Sequence, residues 1–214
     1  MTVSNEMTVR DEAIGSYLEK LAARTAAPAG GAAAALTAAQ AAALLAMVAR
    51  YTTGPRYAAA AQTVERVIRE ADQLRAECTD LIAADAAAFG SVAAAYALPK
   101  DTAGQQAARS AAVAAAHVTA TEPPAAVIAA GARLLDLAEA LAPAGNRTVL
   151  GDLAAAADAI RAATATSRIL VEANLAGITD AAARERYGVT VAQVDPLLAR
   201  ADAVTSAVRA DLLR

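Results

Sequence analysis

The sequence predicts an all-α protein, a bundle of six to eight alanine-rich helices. Hydrophobic residues make up 57% of the 214 residues but aromatic residues only 3%, and alanine supplies most of the difference. Alanine is the strongest helix former because its side chain loses no rotamer entropy in a helix. No segment alternates polar and apolar residues as a strand does, and residues 188–191 are the one strand-like stretch. Frequent breaks and a drifting apolar period favour a bundle over a heptad coiled coil.

The first two helices are separated by a break that contains glycine. Residues 11–24 carry apolar residues at helical spacing, with Asp11 as a plausible N-cap. Residues 1–10 are predicted to be a disordered leader, and residues 11–214 a single domain. The break at residues 26–31 ends the first helix, and the second runs from about Ala32 to Tyr51, where a Thr-Thr-Gly-Pro sequence follows.

Proline and glycine divide the rest of the chain into five further helices. The first of them ends before Pro99, and the next opens at Thr102 or Ala103. Two prolines after Glu122 are expected to stop that helix, because proline lacks the N–H donor that a helix interior needs. The predicted segments are residues 58–97, 102–121, 122–141, 148–176 and 190–214.

The charge and the cysteine and histidine content of the chain argue against several kinds of binding site. The formal net charge is −3 and charges of both signs are scattered, so nucleic acid is not an expected partner. The single Cys78 excludes an internal disulfide and is predicted to be buried. The only histidine, His117, is interpreted as structural or surface, and we expect no metal site. The chain lacks a dinucleotide-binding fingerprint, and we expect no cofactor.

The longest apolar stretch, residues 26–48, is predicted to be a buried helix rather than a membrane span. Alanine is barely apolar on insertion scales, and large apolar residues are few in this stretch. The N-terminus lacks the basic start and apolar run of a signal peptide, so we expect a soluble cytoplasmic protein. A thin alanine core gains from further buried area, which favours a partner chain.

Two candidate site features lie near the ends of the predicted helices. The sequence Pro28-Ala29-Gly30-Gly31 precedes a helix N-terminus, whose free N–H groups hold an anion or a carbonyl oxygen; the alternative is a tight turn. Asp85 shares a helix face with Phe89 and Tyr96. It is therefore either paired or functional, because unpaired burial of a carboxylate is costly, or it belongs to a solvated face.

Three more polar residues are candidates for which a purely structural role is equally available. Lys100 lies at a helix end, where a lysine also complements the helix dipole. Asn146 is a possible cap, and Asp152 falls in a first helical turn, where a carboxylate favours the dipole. Chemistry alone thus predicts a polar pocket at helix ends and names no substrate.

Short motifs follow one another in a fixed order, at residues 17–22, 28–32, 47–48, 52–57, 85–89, 98–100, 123–124, 145–146, 151–152 and 174–175. Their order and spacing resemble those of the cyclodeaminase/cyclohydrolase family. This family comprises the C-terminal domain of formiminotransferase-cyclodeaminase and stand-alone relatives that include methenyltetrahydrofolate cyclohydrolases. The resemblance covers about residues 11–180. Three positions depart from the family pattern: Ala29 replaces a glycine, and Ala32 and Gly151 replace serines.

The resemblance implies the fold of the formiminotransferase-cyclodeaminase C-terminal domain, a homodimer and chemistry on tetrahydrofolate without a metal or redox cofactor. We expect a methenyltetrahydrofolate cyclohydrolase, which hydrolyses 5,10-methenyltetrahydrofolate to 10-formyltetrahydrofolate. One alternative is a formiminotetrahydrofolate cyclodeaminase that releases ammonia. The other is a catalytically degenerate folate-binding or scaffolding member, because Ala32 and Gly151 remove two hydroxyl groups.

The resemblance also implies roles for individual residues. Lys100 is expected to shuttle the proton, Asp152 to face the reactive carbon and Asp85 to tune Lys100. Asn174 is not expected to share a site with Asp152 within one chain, because one straight helix would hold the two residues about 33 Å apart. These roles require the turn at residues 28–31, Lys100 and Asp152 to meet in one cleft. The expected substrate-binding residues are Pro28, Gly30, Gly31, Arg56, Tyr57 and Asn146, with Arg56 on the glutamate tail.

Overall fold

Seven α-helices form the part of the chain that the computed structural model describes, residues 12–213. No strand occurs within these residues, so the all-α prediction is confirmed for them. Two short 3-10 segments, Pro55–Ala60 and Arg147–Val149, precede the third and fifth helices. The helices are α1 (Ile14–Ala22), α2 (Gly30–Tyr51), α3 (Ala61–Tyr96), α4 (Ala103–Leu141), α5 (Leu150–Leu175), α6 (Ala181–Ala192) and α7 (Val194–Leu212).

Helix α2 is the central helix of the bundle. It packs against α3, α4 and α5, and Leu45 and Val48 are completely buried together with many of its alanines. By length and composition, Gly30–Tyr51 and Pro55–Tyr96 would each suffice to cross a membrane, a test that a buried core helix also passes. Because 61% of the apolar window of α2 is buried inside the protein, α2 is a buried helix, as the sequence predicts.

Small residues let the helices approach closely. At Gly131 of α4, a Cβ atom would lie 2.5 Å from Thr164 Oγ1 of α5, so the glycine sets the distance between these two helices. Cys78 of α3 is completely buried, as predicted, and this burial raises the pKa of its thiol to about 11. The core is therefore built as much from close backbone approach as from large side chains.

Helix α4 continues through Pro123 and Pro124, where the sequence predicted a stop, so two predicted helices are one. Neither proline can donate to the carbonyl four residues earlier, which leaves the Thr119 and Ala120 carbonyls without their helical donors. The Ala120 carbonyl instead accepts a hydrogen bond from Asn174 Nδ2 of α5 at 3.3 Å. Both prolines are buried, so tertiary packing stabilises a helix that local propensity disfavours.

The C-terminal prediction also needs correction. Residues 181–192 form a separate helix, α6, so the strand-like residues 188–191 are helical and the predicted helix over 190–214 combines the end of α6 with α7. The Asp180 side chain caps α6 by accepting the N3 backbone N–H at 2.7 Å. Pro196 is the third residue of α7, where its missing N–H breaks no helical hydrogen bond.

At the N-terminus, the predicted leader at residues 1–10 and the Asp11 cap lie outside the described residues. Helix α1 begins at Ile14 with Ala13 in the N-cap position. Helix α2 begins at Gly30, two residues earlier than predicted, so the glycine pair forms its first turn.

Helices α3 and α4 form a hairpin that extends past the rest of the bundle. Asp85 marks the level at which α2 begins, and His117 marks the level at which α5 ends. We call residues 86–116, which lie beyond these two levels, the distal hairpin. It is mostly exposed: only Ala88, Ala95 and Ala116 are buried. Its charged residues are Lys100, Asp101 and Arg109.

Candidate active site

A cavity of about 290 Å³ lies where the distal hairpin leaves the bundle. The N-terminus of α2, the C-terminus of α5 and the adjoining parts of α3 and α4 surround it. Phe89 and Leu170 contribute to its apolar wall. Its polar lining comes from three elements, with Asp85 on α3, His117 on α4 and Asn174 on α5.

Asp85 reaches across from α3 to the first turn of α2. Its Oδ2 accepts the backbone N–H of Ala32 at 2.9 Å, and the N-cap residue of α2, Ala29, supplies no side-chain cap of its own. A Cβ atom at Gly31 would overlap the Asp85 carboxylate, so the glycine makes this approach possible. Asp85 thus acts as a remote cap for α2.

The charge on Asp85 is only partly compensated. Burial raises the pKa of this carboxyl group above its ordinary value, and the hydrogen bond from Ala32 offsets part of that effect. A cation that enters the cavity would favour the ionised form, because a positive charge next to a partly desolvated carboxylate is strongly attracted. The cavity is therefore suited to a cationic ligand.

His117 and Asn174 form a hydrogen-bonded pair on the opposite wall. His117 Nδ1 lies 3.1 Å from Asn174 Oδ1, and Nε2 lies 3.5 Å from the Tyr96 hydroxyl. A Cβ atom at Gly177 would overlap the imidazole ring, so this residue too must lack a side chain. The sequence interpretation of His117 as structural or surface did not anticipate its place in the cavity.

Pro28 lies in a smaller cavity of about 190 Å³, next to Tyr17 of α1. Tyr17 is 6% exposed, and its hydroxyl has no hydrogen-bond partner among residues 12–213. Desolvation raises the pKa of this phenol, and the nearby charges of Asp85 and Glu12 raise it further. Pro28 therefore adjoins the Asp85 site without lining the same cavity.

The structure brings Gly30, Gly31 and Asp85 together as predicted candidates of one site. It places Lys100 elsewhere, in the exposed turn between α3 and α4 at the tip of the distal hairpin. The backbone carbonyl of Lys100 accepts a hydrogen bond from Gln106 Nε2 at 3.0 Å, which fixes the turn. Lys100 does not line the Asp85 cavity of its own chain.

The other predicted binding residues lie at the opposite end of the bundle. Arg56 and Tyr57 line a separate cavity of about 400 Å³. Asn146 joins two helix ends: its backbone N–H donates to Thr52 Oγ1 at 3.0 Å, and its Nδ2 donates to the Tyr51 carbonyl at 2.8 Å. These contacts give Asn146 a structural role.

Asp152 lies in the first turn of α5, also far from the Asp85 cavity. Twenty-two residues of α5 separate it from Asn174, or about 33 Å along one helix. The expected convergence of residues 28–31, Lys100 and Asp152 in one cleft therefore does not occur within a single chain. The physical reason is the length of α2, whose 22 residues span about the same distance between the glycine turn and the Asn146 loop.

From the sequence, His117 is interpreted as structural or surface and Asn174 is set aside because of its distance from Asp152, so neither residue is predicted to line this cavity. The assumed stop before Pro123 placed the Ala120 carbonyl in the last turn of a helix, where a missing helical donor is ordinary, so a side-chain donor from another helix was not expected. A signal was present in Pro124, because a proline inside a helical pattern frees the carbonyl four residues earlier for a side-chain donor.

The fold and the cavity define a class of protein: an all-helical domain with a small-molecule site built where several helices end. A small apolar cavity with a few convergent polar groups is typical of enzyme active sites. Among residues 12–213, no group of three or more His, Cys, Asp or Glu side chains is placed to hold a metal ion. Residues 13–193 match the family model described as formiminotransferase-cyclodeaminase, and the chain belongs to that family.

The chain is similar to cyclohydrolases and to cyclodeaminases. The methenyltetrahydrofolate cyclohydrolase of Methylorubrum extorquens is 35% identical over 199 residues, which cover 92% of this chain and 94% of that protein. The formimidoyltransferase-cyclodeaminase of Rattus norvegicus is 31% identical over 182 residues, which cover 85% of this chain and 34% of that protein. The chain thus matches nearly all of the first relative and about a third of the second.

A solved structure has the same fold. The crystal structure of formiminotetrahydrofolate cyclodeaminase from Thermotoga maritima superposes with a TM-score of 0.79 at 26% sequence identity. The alignment covers 94% of this chain and 96% of that one. The predicted family and its helical fold are therefore confirmed.

Proposed function

We propose that this protein is a methenyltetrahydrofolate cyclohydrolase of one-carbon metabolism, which converts 5,10-methenyltetrahydrofolate and water to 10-formyltetrahydrofolate. The observation that carries this proposal is the Asp85 carboxylate, held at the N-terminus of α2 in the wall of an apolar cavity. The substrate carries its positive charge on the amidinium carbon that water attacks. A fixed carboxylate beside that carbon binds the cation and supports the attacking water. The extensive match to the Methylorubrum extorquens cyclohydrolase supports the same reaction.

The size of the cavity suggests how the substrate lies. At about 290 Å³ it lies just below the range of roughly 300–1,000 Å³ for ligand sites. We therefore place the reactive fused rings inside and the benzoyl-glutamate tail outside, along the distal hairpin. Phe89 and Tyr96 expose aromatic surface there, and the Arg109 guanidinium lies 5.3 Å from the centre of the Tyr96 ring. Arg109 is placed to meet a carboxylate of the tail.

Loss of the near-ultraviolet band of methenyltetrahydrofolate tests the reaction. We expect the full chain to accelerate this loss far above the rate in buffer, and chromatography to identify 10-formyltetrahydrofolate as the product. Asp85→Asn should be nearly inactive, and Glu65→Gln, on an exposed part of the same helix, should match the wild type. A wild-type rate equal to that of buffer would refute the assignment.

Cyclodeamination is the second candidate, because the Thermotoga maritima structure and the rat relative are both named cyclodeaminases. In that reaction N10 attacks the formimino carbon, and ammonia leaves after protonation. Ammonia release from formiminotetrahydrofolate distinguishes the two, since cyclohydrolysis releases none. Binding of both folates without turnover of either would instead support a degenerate binding or scaffolding protein.

We further propose that the protein is a homodimer joined through the distal hairpin. Residues 86–116 also expose many alanines and Leu98, with few charged residues among them. A surface so poor in charge is typical of an interface. Ala94→Glu, which adds a charge at an exposed position, should produce monomers in light scattering, whereas the same change at exposed Ala58 should not.

Antiparallel pairing of two such hairpins would place the tip of one beside the base of the other. Lys100 of the partner subunit would then approach Asp85 and could protonate the departing N5, the role predicted for Lys100. Mixed dimers test this arrangement. Asp85→Asn and Lys100→Ala chains, each weakly active alone, should regain activity when mixed, because one of the two sites would be intact. No recovery in mixtures that form heterodimers would exclude a Lys100 contribution across the interface.

We expect a cytoplasmic enzyme that uses neither metal nor redox cofactor and binds neither nucleic acid nor membrane. Hydrolysis of an amidinium requires a carboxylate and proton carriers, which side chains supply. Fractionation of cells tests the expected location, and activity after treatment with a chelator tests the expected independence of a metal.

A further inference from the structure

We propose that His117 is a further catalytic residue of this cavity, whose Nε2 accepts a proton from the water that attacks the substrate. The inference rests on the proposed hydrolytic function and adds the general base that this function needs. It follows from three features of the structure: the orientation of Asn174, the space left by Gly177 and the position of His117 in the cavity wall.

The hydrogen bonds around Asn174 determine which nitrogen of His117 carries the proton. The Ala120 carbonyl, left without a helical donor by Pro124, can only accept, so the Asn174 atom facing it at 3.3 Å is the amide nitrogen. The other amide atom, Oδ1, then faces His117 Nδ1 at 3.1 Å and can only accept. Nδ1 is therefore the protonated nitrogen of the neutral ring, and Nε2 carries the free lone pair.

Gly177 leaves the space that the imidazole ring of His117 occupies. A Cβ atom at position 177 would overlap the ring, so any other residue there would push His117 away from Asn174. The ring is thus fixed by a hydrogen bond on one edge and by the backbone of the segment after α5. Such orientation of a base by an amide or carboxylate partner is common in enzymes that activate a nucleophile.

The side chains around His117 leave Nε2 available to a ligand. Tyr96 on α3 faces Nε2, the uncharged Asn174 on α5 is hydrogen-bonded to Nδ1, and Asp85 on α3 lines the same cavity. The Tyr96 hydroxyl is 3.5 Å from Nε2, at the outer limit of a hydrogen bond, and Tyr96 is half exposed. A water molecule or substrate that enters the cavity can therefore replace this contact.

With His117 as the base, the bonds, protons and charges of the hydrolysis balance. The water oxygen forms a bond to the methenyl carbon, and one water proton moves to Nε2, which gives a neutral tetrahedral adduct and an imidazolium. The bond from this carbon to N5 then breaks as N5 receives a proton, and the remaining hydroxyl loses its proton to form the formyl group on N10. One proton is released to solvent for each water consumed, which balances the charge of the cationic substrate.

His117→Ala tests the proposal, with purified full-length protein and the methenyl absorption assay. We expect kcat to fall by roughly 10²–10⁴. Binding of tetrahydrofolate, measured by calorimetry, should change by no more than a few-fold. Imidazole added to the assay should restore part of the activity, and substituted imidazoles should restore more as their basicity increases. A merely structural histidine would show no such dependence on basicity.

A second pair of variants covers the case in which His117→Ala does not fold. Gly177→Ala should displace the ring and lower kcat, whereas Gly188→Ala, with no atom within 4 Å of the added Cβ, should not. Turnover by both His117→Ala and Gly177→Ala within a few-fold of the wild type would overturn the inference, as would a slow His117→Ala enzyme that no imidazole rescues. An inactive wild type would refute the proposed hydrolysis itself, a different result.

Discussion

The Asp85 carboxylate accepts the backbone N–H of Ala32, so the middle of α3 is joined to the first turn of α2. Ala32 stands where the family pattern has a serine, but this contact uses the backbone and needs no hydroxyl. The substitution therefore leaves the main polar link of the cavity intact. This favours a functional site over a degenerate one.

The first prediction concerns the charge on Asp85. Asp85→Asn should lower turnover by about 10²–10⁴, because the cation loses its carboxylate, while the amide oxygen can still accept the Ala32 N–H.

The same variant tests the pH dependence of stability. Burial raises the pKa of Asp85, so the wild-type free energy of unfolding falls as pH rises from the pKa of this group in the unfolded chain through its pKa in the folded protein. Asp85→Asn has no carboxyl group to ionise at this position. The difference between its free energy of unfolding and that of wild type should therefore shift in favour of the variant from acidic to neutral pH. Urea titrations at several pH values measure this difference.

The second prediction concerns the close approach at Gly31. Gly31→Ala should displace the Asp85 carboxylate, lower the thermal midpoint and reduce turnover together, since the added Cβ would overlap that group. Gly15→Ala is the matched control, because no atom of the described residues lies within 4 Å of its added Cβ. Melting curves and the absorption assay measure both effects. Unchanged activity in Gly31→Ala would show that Asp85 need not lie where the structure places it.

The third prediction separates two roles for Asn146. The resemblance implies a folate contact, whereas the structure shows hydrogen bonds to Tyr51 and Thr52. Asn146→Ala keeps the backbone bond to Thr52 but loses the Nδ2 bond to Tyr51 and the bonds that Oδ1 accepts from Thr148, which should lower the free energy of unfolding by about 1–2 kcal/mol. Its kcat and KM should remain close to wild type at a temperature where it is fully folded. A large increase in KM would instead restore the predicted binding role.

The fourth prediction concerns Cys78. Because burial excludes reagents and raises the pKa of the thiol to about 11, native protein at pH 8 should react very slowly with a disulfide reagent. Unfolding in guanidinium should release one reactive thiol per chain. Fast reaction of the native protein would mean that α3 opens locally near Cys78.

The sequence predicts the fold well where the physical signal is local. Alanine content indicates helices, and glycine and proline mark most of their ends, as with Pro99. The prediction of a helix end before Pro123 is wrong. Burial of both prolines, and the hydrogen bond that Asn174 donates to the Ala120 carbonyl, stabilise a helix that the prolines alone would interrupt. Local rules do not include a hydrogen-bond donor from another helix.

The candidate site is predicted only in part for a similar reason. Gly31 and Asp85 stand out in the sequence and are adjacent in the structure. Lys100 and Asp152 stand out as well, but the lengths of the helices separate them from this pair within one chain. His117 could be recognised only after its partner Asn174 was known, and that partner lies on another helix.

The distal hairpin has a consequence for how the protein behaves when dilute. If its apolar surface is covered only by a second copy, specific activity should depend on protein concentration and decline below the dissociation constant of the pair. Newly made chains would also need time to find one another, so the recovery of activity after refolding should follow second-order kinetics.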